Sequence, residues 1–174
     1  SAHAQTLSDG IHDFLLEGFD LAGNSILDTF GEFKVDATQP PAVPNIDSLS
    51  HQVDVWSNVD TFLLTWDEVV DNLSGIAEYT VNDVSNGTST LWTETLLEAD
   101  GQFFEVRVRD VAGNWCPDQP DFGPIRIDLT APLGVSSFTS SLPQNDWTNN
   151  PAFTATWTDG TDALSGMKEY QFLL

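Results

Sequence analysis

The sequence predicts an all-β chain of tandem sandwiches, one complete unit flanked by two half units. Three observations carry this expectation. Short apolar and aromatic runs alternate with period two, turn dipeptides punctuate them, and the whole pattern repeats along the chain. No window carries the sustained 3.6-residue apolar stripe that an amphipathic helix needs.

The repeat is read from paired positions. Trp56 and Trp147 stand 147 − 56 = 91 residues apart, as do Trp66 and Trp157. The same offset links Asp71 to Asp162, Ser74-Gly75 to Ser165-Gly166, and Tyr79 to Tyr170. A second set ties the start of the chain to its middle. Asp9-Gly10 matches Asp100-Gly101 at offset 91, and Asp20-Leu-Ala-Gly-Asn24 matches Asp110-Val-Ala-Gly-Asn114 at offset 90. Val35-Asp36-Ala-Thr38 matches Ile127-Asp128-Leu-Thr130 at offset 92. Together they fix the phase. Residues 41–132 make a complete unit, 1–40 the back half of a preceding one, and 133–174 the front half of a following one. The two half units lack only the counterpart of Val84–Leu91, which reads as a turn.

Within the complete unit, Thr61–Trp66 is rich in β-favouring and aromatic residues, and Ile76–Val81 alternates apolar with polar. Gln102–Arg109 alternates most cleanly: Phe104, Val106 and Val108 face one way, and Phe103, Glu105, Arg107 and Arg109 the other. Thr90–Leu97 and Gly123–Asp128 complete the expected strands. Asn86-Gly87, Asp100-Gly101 and Gly113-Asn114 mark turns between them. About 90 residues with some seven short strands is the size and pattern of an immunoglobulin-like or fibronectin type III sandwich.

The order Trp66, Asp71-Asn-Leu-Ser-Gly-Ile76, Tyr79, Asp100-Gly101, Val106-Arg-Val-Arg-Asp-Val-Ala-Gly-Asn114 and Ile127-Asp128-Leu-Thr130-Ala-Pro132 carries a resemblance. It resembles the Ig-like and fibronectin-type-III-like tandem repeats of large prokaryotic surface and secreted proteins, along the whole chain. The resemblance implies core positions for Trp66 and Trp157. It also implies the contexts in which such modules occur: adhesins, surface layers, filaments, and spacers of secreted hydrolases. The tyrosine of the family's strand F is Phe103 or Phe104 here.

Composition narrows the partners. Five Lys plus Arg against 27 Asp plus Glu give a formal charge of −22, which repels nucleic acid and anionic membrane surfaces. No apolar run reaches the roughly 18 residues of a membrane helix. No basic-then-apolar leader is present, so any targeting signal is expected outside this sequence or already removed. The hydrophobic content of 40% is ample for a core. A single cysteine, Cys116, excludes an internal disulfide framework and a cysteine zinc site. The acidic excess suits calcium-bearing water outside a cell, so an extracellular or cell-surface location is expected.

The recurring Asp-x-Ala-Gly-Asn element has two readings. As a turn, its Gly supplies a positive φ and its Asp accepts backbone N–H bonds. As a ligand source, it supplies oxygens to Ca²⁺, which takes six to eight of them. In a fibronectin-like sandwich the B–C loop, the F–G loop and the incoming linker share one end. Asp67, Glu68 and Asp71 fall on the first, Asp110 and Asn114 on the second, and Asp36 on the linker. Asp128, Asp159 and Asp162 repeat the arrangement at the next junction. Calcium at such a joint would offset carboxylate repulsion and stiffen it.

Other chemistry has less support. Trp92 and Trp115 are candidates for stacking on surface glycans, and Asn72-Leu-Ser74 and Asn86-Gly-Thr88 match the N-glycosylation pattern. His3, His12 and His51 do not recur with the repeat and have no metal spacing, and no nucleophile elbow or phosphate loop is present, so no enzymatic activity is expected. The expected role is a structural or adhesive segment of a long extracellular repeat protein, with a spacer or carbohydrate-binding module of a secreted enzyme as the alternative. The half units are expected to be completed either by more of the same chain or by neighbouring copies through strand complementation. Both give a linear head-to-tail array, with Leu174 and the next Ser1 bridged by roughly eight residues, about 25–30 Å.

Overall fold

The computed structural model describes residues 4–173, so the expected approach of Ser1 and Leu174 lies outside the described residues. The chain is all-β, of the sandwich class, with several sheets and no helix among the described residues. Its strands are β1 (Gly10–Phe19), β2 (Ser25–Val35), β3 (Asp47–Ser48), β4 (Trp56–Ser57), β5 (Thr61–Thr65) and β6 (Ile76–Val81). They continue with β7 (Val84–Ser85), β8 (Leu91–Thr95), β9 (Ala99–Phe104), β10 (Val106–Asp110) and β11 (Phe122–Ile127). The last two are β12 (Ser136–Ser140) and β13 (Ala155–Thr158).

The strands form two compact units. One takes the chain up to Leu49, Leu63–Thr93 and Phe103–Phe122; the other takes Ser50–Phe62, Glu94–Gln102 and everything from Gly123. Both draw on the central repeat.

In the first unit β1 and β2 form a long antiparallel hairpin, running from Gly10↔Val35 to Phe19↔Ser25 with a register slip at Asp13/Phe14. Asp20 makes its turn, accepting the Ala22 and Asn24 N–H groups at 2.8 Å. The central strand β6 lies between β10 and β7. Asn82 and Asp83, with φ of 47° and 63°, turn β6 into β7, the left-handed pair that a tight hairpin requires. The core gathers Leu64, Trp66, Val69, Tyr79, Val81, Phe104, Val106 and Val108. The alternation expected over Gln102–Arg109 is present, with Phe104, Val106 and Val108 buried and Phe103 exposed. The single strand expected there is divided at Glu105, whose N–H bonds the Asn82 side chain at 2.9 Å instead of a ladder partner.

In the second unit β11 lies between β4 and β9 and pairs with β4 in parallel, Arg126↔Trp56 and Ile127↔Ser57. Phe62, Leu96, Ile125 and Ile127 fill its core. The buried His51 is a structural side chain: Nε2 contacts the Val59 carbonyl at 2.8 Å, and the ring stands edge-on to Phe62. β12 and β13 pair antiparallel, Ser136↔Thr158 to Ser140↔Ala155.

The 91-residue offset is visible in the backbone. Asp54 and Asn145 share left-handed φ of 64° and 60°, and Gly75 and Gly166 share 79° and 76°. The Val69 N–H bonds the Tyr79 hydroxyl at 2.7 Å, and its counterpart, the Gly160 N–H, bonds the Tyr170 hydroxyl at 2.8 Å. Trp66 and Tyr79 have ring centroids 5.5 Å apart, and so do Trp157 and Tyr170. Burial does not repeat. Tyr79 is 1% exposed and Tyr170 37%, and Trp157 is half-buried where Trp66 is buried. The expectation of equal burial for the two tryptophans fails because residues 133–173 do not have the full set of strands packed on them that covers Trp66.

Candidate metal centre

Asp36 ends the hairpin segment, Asp71 opens the loop before β6, and Asp110 closes β10. The structure brings one oxygen of each within 4.8 Å of the others. The local fold aims them. Asp71 Oδ1 accepts the N–H groups of Leu73, Ser74 and Gly75, each at 3.0 Å, an Asx turn closed by Gly75 in its left-handed conformation. Asp36 Oδ1 accepts the Thr38 N–H, and its Oδ2 accepts the Ser74 N–H at 3.1 Å. Asp110 is buried and held by Asn114, whose N–H and Nδ2 donate to its two oxygens at 2.7 Å. Asn114 Nδ2 also donates to the Asp36 carbonyl at 3.0 Å. It therefore orients the Asp110 carboxylate and ties it to the Asp36 backbone.

The remaining expected residues fall elsewhere. Asp67 accepts from Asn45 Nδ2 at 2.7 Å and is not part of the cluster. Glu68 lines a shallow cavity of about 390 Å³ with Asp71, Tyr79 and Thr88. Asp128 and Asp162 meet at the second junction and repeat most of the bonds of the first, the Ser165 hydroxyl standing on Asp162 where the Ser74 N–H stands on Asp71. Asp128 accepts the Thr130 and Ser165 N–H groups, and Asp162 Oδ1 accepts those of Leu164 and Gly166. Hydrogen bonds from Ser165 hold the Asp128 carboxyl below its ordinary range. Asp159 is exposed and joins no cluster of three acids among the described residues. No third acid joins Asp128 and Asp162 among the described residues.

No family model, curated protein or solved structure matches the chain. The function therefore rests on the site itself.

The donors fit a hard cation. Every offered ligand is an oxygen, which suits Ca²⁺ or Mg²⁺ and not zinc. Ser74, whose N–H bonds both Asp36 and Asp71, also has a buried Oγ without a hydrogen-bond partner. A cleft of about 620 Å³ lined by Ile11, Lys34, Asp36, Ser74 and Val111 adjoins it.

Two acids that sequence reasoning missed also hold the linkers. Asp9 accepts the Ala37 N–H and the Thr38 hydroxyl; Glu98 accepts the Leu129 N–H and the Thr130 hydroxyl. The recurring linker threonines were the available signal. The acids slip by two positions relative to the repeat, since Asp9 aligns with Asp100.

Of the glycan candidates, Trp115 is covered by guanidiniums, Arg107 at 5.0 Å and Arg109 at 5.4 Å from its centroid, and Trp92 is half-buried.

Proposed function

We propose that this chain is a non-enzymatic structural or adhesive segment of a long extracellular surface protein, such as a surface layer, filament or adhesin stalk. Its units are immunoglobulin-like or fibronectin-type-III-like repeats, and Ca²⁺ stiffens the joints between them. One observation carries the reading. The linker acid and the Asp-x-x-Ser-Gly loop make the same bonds at both junctions, Asp36 to the Ser74 N–H at 3.1 Å and Asp128 to the Ser165 N–H at 3.0 Å. A chain that builds one joint twice, from residues 91 and 92 apart, has a geometry suited to holding repeats in line. Asp36, Asp71 and Asp110 would supply carboxylate oxygens to the cation, and Asn114 would hold the Asp110 carboxylate in place.

Calcium binding only the folded chain would raise its melting temperature by mass action, about 2.7 kcal/mol at a hundredfold excess over Kd. The test is a calcium titration followed by chelator, read by melting temperature and by small-angle scattering. Asp71→Ala and Asp110→Ala should each remove the response. Unchanged melting and unchanged scattering in the parent chain would leave the acids as turn formers only.

A further inference from the structure

We infer that the β1–β2 hairpin of one copy and residues 147–172 of a second copy pair into one composite sandwich, so that copies join head to tail. The repeat supplies the template. In the central unit β10 has two neighbours. On one side it pairs with β6, Val106↔Val81, Val108↔Tyr79 and Asp110↔Ile76. On the other, the Cys116 N–H bonds the Val108 carbonyl at 3.0 Å.

The hairpin reproduces only the second of these. Gly18, the counterpart of Val108, faces Ile26, the counterpart of Cys116. Among the described residues its sheet holds β1 and β2 alone, which leaves the outer edge of β1 without a described partner, a state that invites strand addition. The counterpart of β6 is residues 167–172, which form no strand. Applying the offsets places Leu16 opposite Phe172, Gly18 opposite Tyr170 and Asp20 opposite Met167.

A second contact agrees independently. β11 pairs in parallel with β4, and the Arg126 guanidinium lies 5.7 Å from the centroid of the Trp56 ring. Its counterpart sets Lys34 of β2 opposite Trp147, again a cation over an indole. Side-chain exposure marks the same surfaces. Leu16 is 60% exposed, Phe172 74% and Trp147 102%, whereas Val106 and Val81, the counterparts of Leu16 and Phe172, are buried. Apolar area of this kind is the main source of association energy. Both surfaces are acidic, so pairing should tighten as salt screens them.

The inference rests on the repeat reading above but not on its calcium. Loss of pairing with the calcium response intact sinks this inference alone, and the reverse sinks the calcium joint alone.

The test uses the whole chain with Cys116→Ala throughout. Phe19 and Glu169 are the counterparts of Arg109 and Glu78, which are opposed in the ladder. Mixing Phe19→Cys with Glu169→Cys under oxidation should give a covalent dimer of the two different chains. Phe19→Cys mixed with Asp118→Cys, on an exposed loop, should not. In the unmodified chain, Trp147 fluorescence should shift blue as concentration rises, and that component should vanish in Trp147→Phe. Leu16→Lys should weaken association, measured by sedimentation, at least tenfold. Three results would overturn the pairing: a monomer at every concentration and salt, a Phe19→Cys/Glu169→Cys double variant that closes within one chain, or cross-links that ignore the register.

Discussion

Replacing Asp71 by Asn should stabilise the protein in chelator and destabilise it in calcium. The substitution is chosen for what it leaves alone. Asp71 Oδ1 accepts three backbone N–H groups at 3.0 Å, and the amide oxygen of Asn can keep all three. What changes is the charge. Like charges at the 4.8 Å that bounds this cluster repel by about 0.9 kcal/mol at a water-like dielectric. Asp71 faces two of them, so its neutralisation relieves somewhat under 2 kcal/mol, and less in salt. For a domain of this size each kcal/mol moves Tm by about 4–8 °C. In calcium the order inverts. The parent gains about 2.7 kcal/mol at a hundredfold excess over Kd, and the variant, short of a charged ligand, loses most of that gain. Asp71→Ala is less informative, because it also strips three N–H groups of their acceptor and should cost stability in both solutions. The assay is calorimetric melting of parent and Asp71→Asn at low ionic strength, with chelator and with calcium. A variant that melts below the parent in chelator, or the same melting order in both solutions, would refute repulsion and calcium ligation at Asp71.

Two further outcomes follow from the same geometry. Tyr79→Phe leaves the buried Val69 N–H without its 2.7 Å partner and should cost about 1–3 kcal/mol. Tyr170→Phe removes the same bond where the tyrosine is 37% exposed and water can replace it, so it should cost under about 1 kcal/mol in urea unfolding; equal costs would contradict the burial argument. Asp9 and Asp20 lie below their ordinary 3.8 through hydrogen bonds from Thr38 and Asn24, and Glu78 lies below 4.5 through Ser85 and then Arg109. A depressed folded pKa gives stability that is complete above the unfolded value and lost as pH falls through the folded one. These carboxyls should therefore titrate, by carbon NMR, below 3.8 and 4.5 respectively, and a midpoint at or above those values would remove their acid-linked contribution.

The all-β class was legible because period-two alternation is imposed by the pleat: Phe104, Val106 and Val108 had to share a face once any of them was buried. The division of the expected strand at Glu105 was not. It depends on the Asn82 side chain, which reaches Glu105 from the turn after β6, a partner 23 residues away that no local pattern announces. That turn was also missed, since Asn82-Asp83 lacks the glycine that made Asn86-Gly87 conspicuous. At the site, Asp36, Asp71 and Asp110 could be grouped because the repeat located the linker and both loops, and loop ends in a sandwich converge. Asp67 and Glu68 lie on the same loop as Asp71, but loop membership does not fix direction. Asp67 turns to Asn45, two residues after the Pro41-Ala-Val43 sequence that begins the unit. Asp9 and Glu98 escaped for another reason: each holds a linker from a different place in the repeat, so period alone could not pair them.

The second junction leads to one more outcome. Asp128 and Asp162 reproduce most of the bonds of Asp36 and Asp71, with the Ser165 hydroxyl on Asp162 where the Ser74 N–H is on Asp71, yet the third acid has no counterpart among the described residues around them. Its equivalent in the repeat is the Asp of an Asp-x-Ala-Gly-Asn turn, and Asp20 is such an Asp. Asp20 is held by the Asn24 N–H at 2.8 Å and by Asn24 Nδ2 at 2.6 Å, as Asn114 holds Asp110. If the hairpin of one copy completes residues 147–172 of another, Asp20 arrives at Asp128 and Asp162 and three carboxylates converge there. Association should then be opposed by repulsion in chelator and favoured by calcium. Asp20→Asn should make association tighter in chelator and nearly insensitive to calcium. It should leave the calcium-dependent melting of the central unit unchanged, because Asp36, Asp71 and Asp110 are intact. Sedimentation of parent and variant with calcium and with chelator reads the first effect, and calorimetry the second. An Asp20→Asn chain whose association responds to calcium as the parent's does would separate the two junctions and leave Asp20 as a turn residue only.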